Sequence, residues 1–341
     1  MKPLNVLITA GSRRVPLLRA FQTALRDLGV TGRVIVTDTN PLSPAAHLAD
    51  RWHEVPLASE PGYLEAVLAI CRSEQIGLVV PTIDDELVLF GEARPRFSAC
   101  GVQIAVSPPH TSCVCNDKYR TSVLLRAAGV AAAETFLPAQ VSGAAVLPLF
   151  IKPRFGRGGV GAFPVSTRRE LDFFLEYVGD PIVQEYLEGP EFTIDMLCGF
   201  DGRPLSIVPR ERVVIRAGVI DRGRTVRDQA LIDLAQSVAH ALPFQGPVNI
   251  QCRVVAGRPI VFEINPRFSG GIPLTIAAGA DFPRMLLQLV RGHRVPPAIG
   301  AFRDGLWMSN YEETVFLEPD GATGGMKRAQ STTAVAVGEV A

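Results

Sequence analysis

Leu149-Phe-Ile-Lys-Pro-Arg-Phe-Gly-Arg-Gly-Gly-Val-Gly161, followed by Ala162-Phe-Pro-Val165, is the stretch on which the fold turns. Gly156, Gly158 and Gly161 match the bare pattern of a dinucleotide fingerprint. That fingerprint needs a helix directly after the loop, so that the helix N-terminus meets the pyrophosphate. Here Pro164 sits among β-prone neighbours, and the segment reads as a strand. No Gly-Lys-Ser/Thr closes the loop, so it is not a Walker A loop either. A glycine loop between two strands is a flap, and its backbone N–H groups can close over phosphates. Gly159 adds to that freedom. Lys152, on the strand entering the flap, can reach a phosphate oxygen as a point charge. Kinases also place a glycine flap between strands, but their lysine follows it, and no His-Arg-Asp or Asp-Phe-Gly occurs here. A glycine-rich hairpin turn with Lys152 on the surface is the plainer alternative.

Downstream, Ile260-Val-Phe-Glu-Ile-Asn-Pro-Arg-Phe-Ser-Gly-Gly271 alternates apolar and polar residues, as a half-buried strand does. A period of two points Ile260, Phe262 and Ile264 one way. It points Val261, Glu263 and Asn265 the other, with Arg267 on the same parity. A carboxylate beside a carboxamide offers the hard oxygen donors that Mg²⁺ prefers. A neighbouring guanidinium can hold an anion. Val248-Asn-Ile-Gln-Cys-Arg-Val254 alternates too, and a three-residue loop Ala256-Gly257-Arg258 sets Gln251 opposite Glu263. An ordinary amphipathic hairpin with a solvated polar face has the same pattern. In Ile182-Val-Gln-Glu-Tyr-Leu-Glu-Gly-Pro-Glu191 a strand meets a turn. Such a connection can offer backbone groups to an adenine edge, and Glu191 can accept from ribose hydroxyls.

The chain has 341 residues, room for two or three domains and a substantial core. Net charge is zero, so no basic surplus recommends nucleic acid or an anionic membrane as partner. No apolar stretch is long enough to span a bilayer. Residues 4–10 form a short apolar run that reads as a first strand rather than a signal segment, because Gly11-Ser-Arg-Arg14 follows at once. Cys71, Cys100, Cys113, Cys115, Cys198 and Cys252 lie mostly in apolar runs without zinc-ligand spacing. Free thiols in a cytoplasmic protein are expected.

Through residue 106, strands at 6–9, 34–38, 77–81 and 102–106 alternate with helices at 17–28, 63–73 and 86–97. That alternation predicts a parallel sheet covered on both faces. Ser107-Pro-Pro-His110 breaks the pattern. Asn116 or Asp117 can cap a helix that Gly129 ends. From residue 147 strands dominate, with helices at 168–178, 228–241 and 281–291. The fold class is thus α/β followed by α+β. The expected division is 1–110, 111–187, 188–318 and a flexible tail at 319–341.

Taken in order, Asn116-Asp-Lys118, Phe150-Ile-Lys152 with its flap, Gln184-Glu-Tyr-Leu-Glu-Gly-Pro-Glu191, Gln251 and Glu263-x-Asn265-x-Arg267 resemble the ATP-grasp superfamily. The resemblance spans roughly residues 1–300. It is nearest to stand-alone proteins similar to the carbamoyl phosphate synthase large subunit, and extends to the pyrrolysine-pathway ligase. It implies a Rossmann-like pre-ATP-grasp domain followed by a two-lobed ATP-grasp domain. It also implies ATP and Mg²⁺ or Mn²⁺ as cofactors. Lys118 and Lys152 would contact phosphates under the flap of Gly156, Gly158, Gly159 and Gly161. Glu185, Tyr186 and Leu187 would meet adenine, and Glu191 the ribose. Gln251, Glu263 and Asn265 would hold the metal, with Arg267 and Lys152 as the catalytic groups. The implied chemistry is activation of a small carboxylic acid by ATP and attack by an amine, with a homodimer left open. Complete carbamoyl phosphate synthetases fuse two such halves, and this chain has length for one.

For substrates, Arg210, Arg212 and Arg216 share a parity in Pro209-Arg-Glu-Arg-Val-Val-Ile-Arg-Ala-Gly218 and would face one side as a cationic stripe, or a solvated one. Asp84, Asp85 and Glu86, after a strand of the first sheet, are candidates to hold an amine. Three rival functions stay open: a small-anion kinase, a nucleotide-binding regulatory protein without turnover, and an NAD-dependent oxidoreductase. The last lacks a glycine fingerprint after the first strand.

Overall fold

A computed structural model of the chain describes residues 3–141, 145–216, 218–319 and 325–329. The amino-terminal part holds five parallel strands: β1 (Asn5–Ile8), β2 (Val34–Asp38), β3 (Arg51–Glu54), β4 (Ile76–Val80) and β5 (Gln103–Ile104). Their order is β3-β2-β1-β4-β5. Chain direction across the sheet reverses between β1 and β4, which opens a crevice at their carboxyl ends. β1 and β2 are buried on both faces, as their unbroken apolar runs require. β3 escapes sequence reading because Arg-Trp-His-Glu has no apolar alternation. It is an edge strand, where charge is the usual protection. The strand expected third in the chain is therefore the fourth.

The helix Val15–Asp27 buries Leu17, Leu18, Phe21 and Leu25. Their core continues without a break into Phe268, Phe282, Leu286 and Leu287 of the carboxy-terminal part. Phe21 meets Phe268 edge to face, with centroids 6.0 Å apart. This shared core sets the amino-terminal crevice against the segment that carries Arg267.

Two antiparallel sheets follow. The smaller contains β6 (Thr135–Phe136), β7 (Leu149–Pro153), β8 (Phe163–Val165) and β9 (Pro181–Glu185), ordered β6-β9-β7-β8. The larger contains β10 (Glu191–Cys198), β11 (Pro204–Arg216), β12 (Val219–Thr225), β13 (Gly246–Val255), β14 (Arg258–Asn265) and β15 (Trp307–Ser309). Its order is β14-β13-β10-β11-β12-β15. The helices Pro109–Asn116 and Lys118–Ala127 send Val114, Cys115 and Leu125 into the core beneath this larger sheet.

β13 and β14 correct two expectations. The loop is two residues long, Ala256-Gly257, with φ of 47° and 78°, the geometry that a tight hairpin demands. A two-residue loop alone would set Gln251 opposite Phe262. A bulge at Phe262 absorbs one residue, and Gln251 faces Glu263 after all. The bulge also turns the side chains over. Val261 and Ile264 enter the core, while Phe262 and Glu263 together face a cavity.

At the start of the expected tail, β16 (Leu317–Pro319), which begins two residues before it, pairs antiparallel with β17 (Met326–Arg328), and Glu318 meets Lys327 at 3.7 Å. Residues 320–324 and 330–341 of that tail lie outside the described residues. The six cysteines are free thiols. Among the described residues no helix is long and apolar enough to cross a membrane.

Candidate active site

The flap joins β7 to β8, so a strand follows the glycines. Gly156, Gly158, Gly159 and Gly161 all have positive φ, a conformation in which a side chain would be strained. Lys152 is buried. Its Nζ donates to the Phe262 carbonyl at 3.3 Å and lies 5.3 Å from the Phe262 ring centroid. Burial pushes its pKa down to about 8; Glu263 opposes that fall and Lys118 deepens it. Lys118, also buried, donates from Nζ to the Gly156 carbonyl at 2.7 Å.

Asp117 does more than cap a helix. It accepts from the backbone N–H groups of Tyr119 and Arg120. It also takes the Arg154 guanidinium, Nε at 3.0 Å and Nη2 at 2.6 Å. The helix bearing Lys118 is thereby tied to the root of the flap. Sequence reading missed this pair because its partners stand 37 residues apart.

Flap, lysines and hairpin enclose a cavity of about 320 Å³. Glu185, Tyr186 and Leu187 form one wall, Phe150 and Phe262 apolar faces, and Gln251 and Glu263 a polar floor. Basic lining residues are Lys118, Lys152, Arg157, Arg212 and Arg253; acidic ones are Glu185, Glu191 and Glu263. The surplus of positive charge suits a polyanion. Glu191 pairs with Arg212 at 3.0 Å and Arg253 at 2.7 Å, and still keeps lone pairs to offer. The Glu185 carboxylate accepts from the Glu134 backbone N–H at 2.9 Å, and the Glu185 N–H donates to the Glu134 carbonyl at 3.0 Å, so both groups are tied to the residue just before β6.

Glu263 is the one carboxylate among the expected metal ligands. Among the described residues no group of three His, Cys, Asp or Glu gathers. A divalent ion here would depend on Glu263, carboxamides and ligand oxygens. Asn265 does not line the cavity. It donates from Nδ2 to Glu263 at 3.0 Å and accepts from Arg267 at 3.2 Å, which orients both neighbours. Arg267 crosses to the amino-terminal crevice, where Nη2 meets Asp84 at 2.7 Å.

The three arginines of β11 do not form a stripe. Arg210 is buried against Asp195 at 2.7 Å and Ser269 at 2.9 Å. Arg212 reaches the cavity, and Arg216 is exposed beside Glu312. Register shifts after Arg212 break the shared parity, and Asp195 on the neighbouring strand draws Arg210 inward. The carboxylates of 84–86 separate as well. Asp84 holds Arg267, and Asp85 holds Arg157 of the flap at 2.6 Å. Glu86 points into the amino-terminal core, where it accepts from Thr9 at 2.6 Å and from Tyr63. Burial raises its pKa to about 7, and those hydrogen bonds oppose the rise. Buried there, Glu86 is not positioned to hold an amine.

Residues 6–105 match the family described as "PylC-like, N-terminal domain", and residues 178–314 the family "ATP-grasp in the biosynthetic pathway with Ter operon". The chain joins a PylC-like amino-terminal domain to an ATP-grasp domain. The carbamoyl phosphate synthase large chain of Thermoanaerobacter sp. is 25% identical over 308 residues, covering 83% of this chain and 28% of that relative. The chain thus spans little more than a quarter of that protein's length. Among solved structures, the biotin carboxylase domain of 2-oxoglutarate carboxylase from Hydrogenobacter thermophilus superposes with TM-score 0.71 at 15% identity. It covers 90% of this chain and 74% of the other, and was solved as a dimer with MgADP, ADP and bicarbonate. L-amino acid ligase from Bacillus licheniformis gives TM-score 0.67 at 20% identity, covering 89% and 78%. The ATP-grasp architecture of a parallel-sheet domain followed by antiparallel sheets is the one seen here.

Proposed function

We propose that the protein is an ATP-dependent carboxylate–amine ligase working through an acyl phosphate. One observation carries the reading: two buried lysines, Lys118 and Lys152, face one cavity between a glycine flap and the Gln251–Glu263 floor. A buried ammonium whose pKa has fallen to about 8 calls for an anion, and the triphosphate of ATP supplies one. Glu263 and Gln251 fit a hard divalent ion completed by phosphate oxygens, with Asn265 holding Glu263 in place. Bound there, Mg²⁺ or Mn²⁺ would neutralise charge on the phosphates.

Lys118 and Lys152 would hold the phosphates, and the flap would exclude water. Glu185, Tyr186 and Leu187 would meet the adenine, and Glu191 the ribose. A carboxylate oxygen of the acid attacks the γ-phosphorus, the bond to the β-phosphate breaks, and ADP leaves. The amine nitrogen then attacks the acyl carbon, and phosphate departs with the oxygen that came from the acid. Arg267 would stabilise charge on the transferring group. L-amino acid ligase and biotin carboxylase share the architecture, which supports a carbon–nitrogen bond-forming reaction. The likeness to carbamoyl phosphate synthase supports a second reading, a kinase acting on a small anion such as carboxyphosphate. Free thiols favour the cytoplasm, and the dimeric carboxylase domain favours a homodimer.

Calorimetry against MgATP and NAD, with ADP release over a matrix of acids and amines, tests the proposal. Tighter binding of NAD than of MgATP would overturn it. ADP release that needs bicarbonate and no amine would favour the second reading.

A further inference from the structure

The turn after β1 takes no part in the nucleotide cavity, yet it is strained and firmly held. Ala10 and Ser12 have φ of 48° and 41°, a region that non-glycine residues avoid. The Ser12 N–H donates to Asp38 Oδ2 at 2.6 Å, and the Gly11 N–H to the Thr37 carbonyl at 3.0 Å. Thr82 Oγ1 donates to the Thr9 and Ala10 carbonyls at 2.9 and 3.0 Å. Strain persists where the surroundings over-determine it, and such places are commonly sites of positioning.

What this turn positions is Arg14. Its guanidinium is half-buried at the domain interface. Nη2 donates to the Thr82 carbonyl at 3.3 Å, and Nη1 lies 3.7 Å from where a side chain on Gly270 would begin. Burial holds the Arg14 pKa down to about 10; the nearby Arg267 and Arg157 guanidiniums add to that fall, and Asp84 opposes it in part. Three guanidiniums therefore meet here, from the first domain, the flap and the segment after β14. Two carboxylates answer them: Asp84 pairs with Arg267, and Asp85 with Arg157. Among the described residues Arg14 alone of the three has no carboxylate partner. A guanidinium with no carboxylate at ion-pair distance, beside two other cations and only partly offset by Asp84, is a place for an anion. Its position, at the carboxyl end of β1 beside the switch in strand order, is where open α/β sheets take ligands. The phosphates already have Lys118 and Lys152. The anion that remains for a ligase to hold is the acid.

We infer that Arg14 anchors a carboxylate of the acid substrate, a role that rests on the ligase reading. The fork geometry of a guanidinium suits a planar carboxylate, which lysine cannot match.

Phenylglyoxal labelling of the full chain, located by peptide mass, tests the assignment. The probes are millimolar succinate, inorganic phosphate and sodium chloride at matched ionic strength. Succinate should slow the labelling of Arg14 several-fold relative to chloride, and phosphate should not. Succinate should also raise the melting temperature of the wild type, by selective binding to the folded form. That rise should vanish in Arg14→Gln and in Arg14→Lys, the second of which keeps the charge should the first fail to fold. MgATP affinity should stay within about twofold in either variant, because Arg14 lies outside the nucleotide cavity. Arg14 that goes unlabelled in chloride, is labelled equally in succinate, or is protected as well by phosphate overturns the assignment. So does a full succinate response in Arg14→Lys. Labelling is run without nucleotide, so failure of the wild type to bind MgATP is scored separately and counts against the ligase reading alone.

Discussion

Replacing Lys152 with methionine should make the nucleotide-free protein more stable while abolishing its turnover. The ammonium is buried; among the described residues its direct contacts are a carbonyl at 3.3 Å and the face of Phe262, and the nearby Glu263 carboxylate offsets the loss of water only in part. Burial takes its pKa from 10.5 to about 8. At about 1.4 kcal/mol per unit, keeping it protonated in the fold costs on the order of 3 kcal/mol. The folded pKa lies below the unfolded one. From pH 8 to 10.5 the unfolded chain therefore binds more protons, and stability rises with pH; below pH 8 the whole penalty is present. Losing the hydrogen bond and ring contact returns about 1–2 kcal/mol. The variant should then gain about 1–2 kcal/mol near neutral pH, less as the pH approaches 10. Urea unfolding at both pH values measures this. MgATP should reverse the ranking, since its phosphates supply the charge that Lys152 lacks. A variant less stable than wild type at neutral pH without nucleotide would refute the reasoning. So would a gap that widens towards high pH.

Other outcomes follow from the same geometry. Glu263→Gln should leave the thermal unfolding curve intact and remove most ADP release, since the one carboxylate on the cavity floor is lost; unchanged turnover would take Glu263 out of the site. Arg267→Met should lower kcat by about 10²–10³-fold with little change in the KM for ATP, and a mainly KM effect would mean ground-state binding instead. Glu86 has its pKa raised from 4.5 to about 7, so the native state holds the extra proton between those values and stability falls as pH rises through them. Glu86→Gln should flatten that fall in melting temperature, and an unaltered pH profile would show that another group causes it. Hydrogen exchange across residues 155–161 should slow when MgATP binds, and equal rates with and without it would count against a closing flap.

The parts of this molecule that sequence reading recovered are those written locally. The flap needed only its glycines and the strand after them. Gln251 was paired with Glu263 for a partly wrong reason: the loop is one residue shorter than expected, and the bulge at Phe262 restores the register. The same bulge defeated the parity of Val261, because alternation assumes an unbroken ladder. Arg210, Arg212 and Arg216 misled in the same way. Their period is real, but Asp195 and Glu191 on the neighbouring strand decide which of them turns inward. Asp84 with Arg267 stands 183 residues apart in sequence, and Arg14 approaches that pair from the turn after β1. No single-chain periodicity encodes such convergence; it arises from the shared core that sets Phe21 against Phe268.

The central claim is that the acid is phosphorylated before the amine reacts, and isotope transfer tests it most directly. Once an acid that supports ADP release is found, it is labelled with ¹⁸O in its carboxylate and turned over with ATP, Mg²⁺ and hydroxylamine. The account predicts hydroxamate, with one acid-derived ¹⁸O atom in the phosphate for each ADP formed. Phosphate whose added oxygen comes only from solvent water would contradict it.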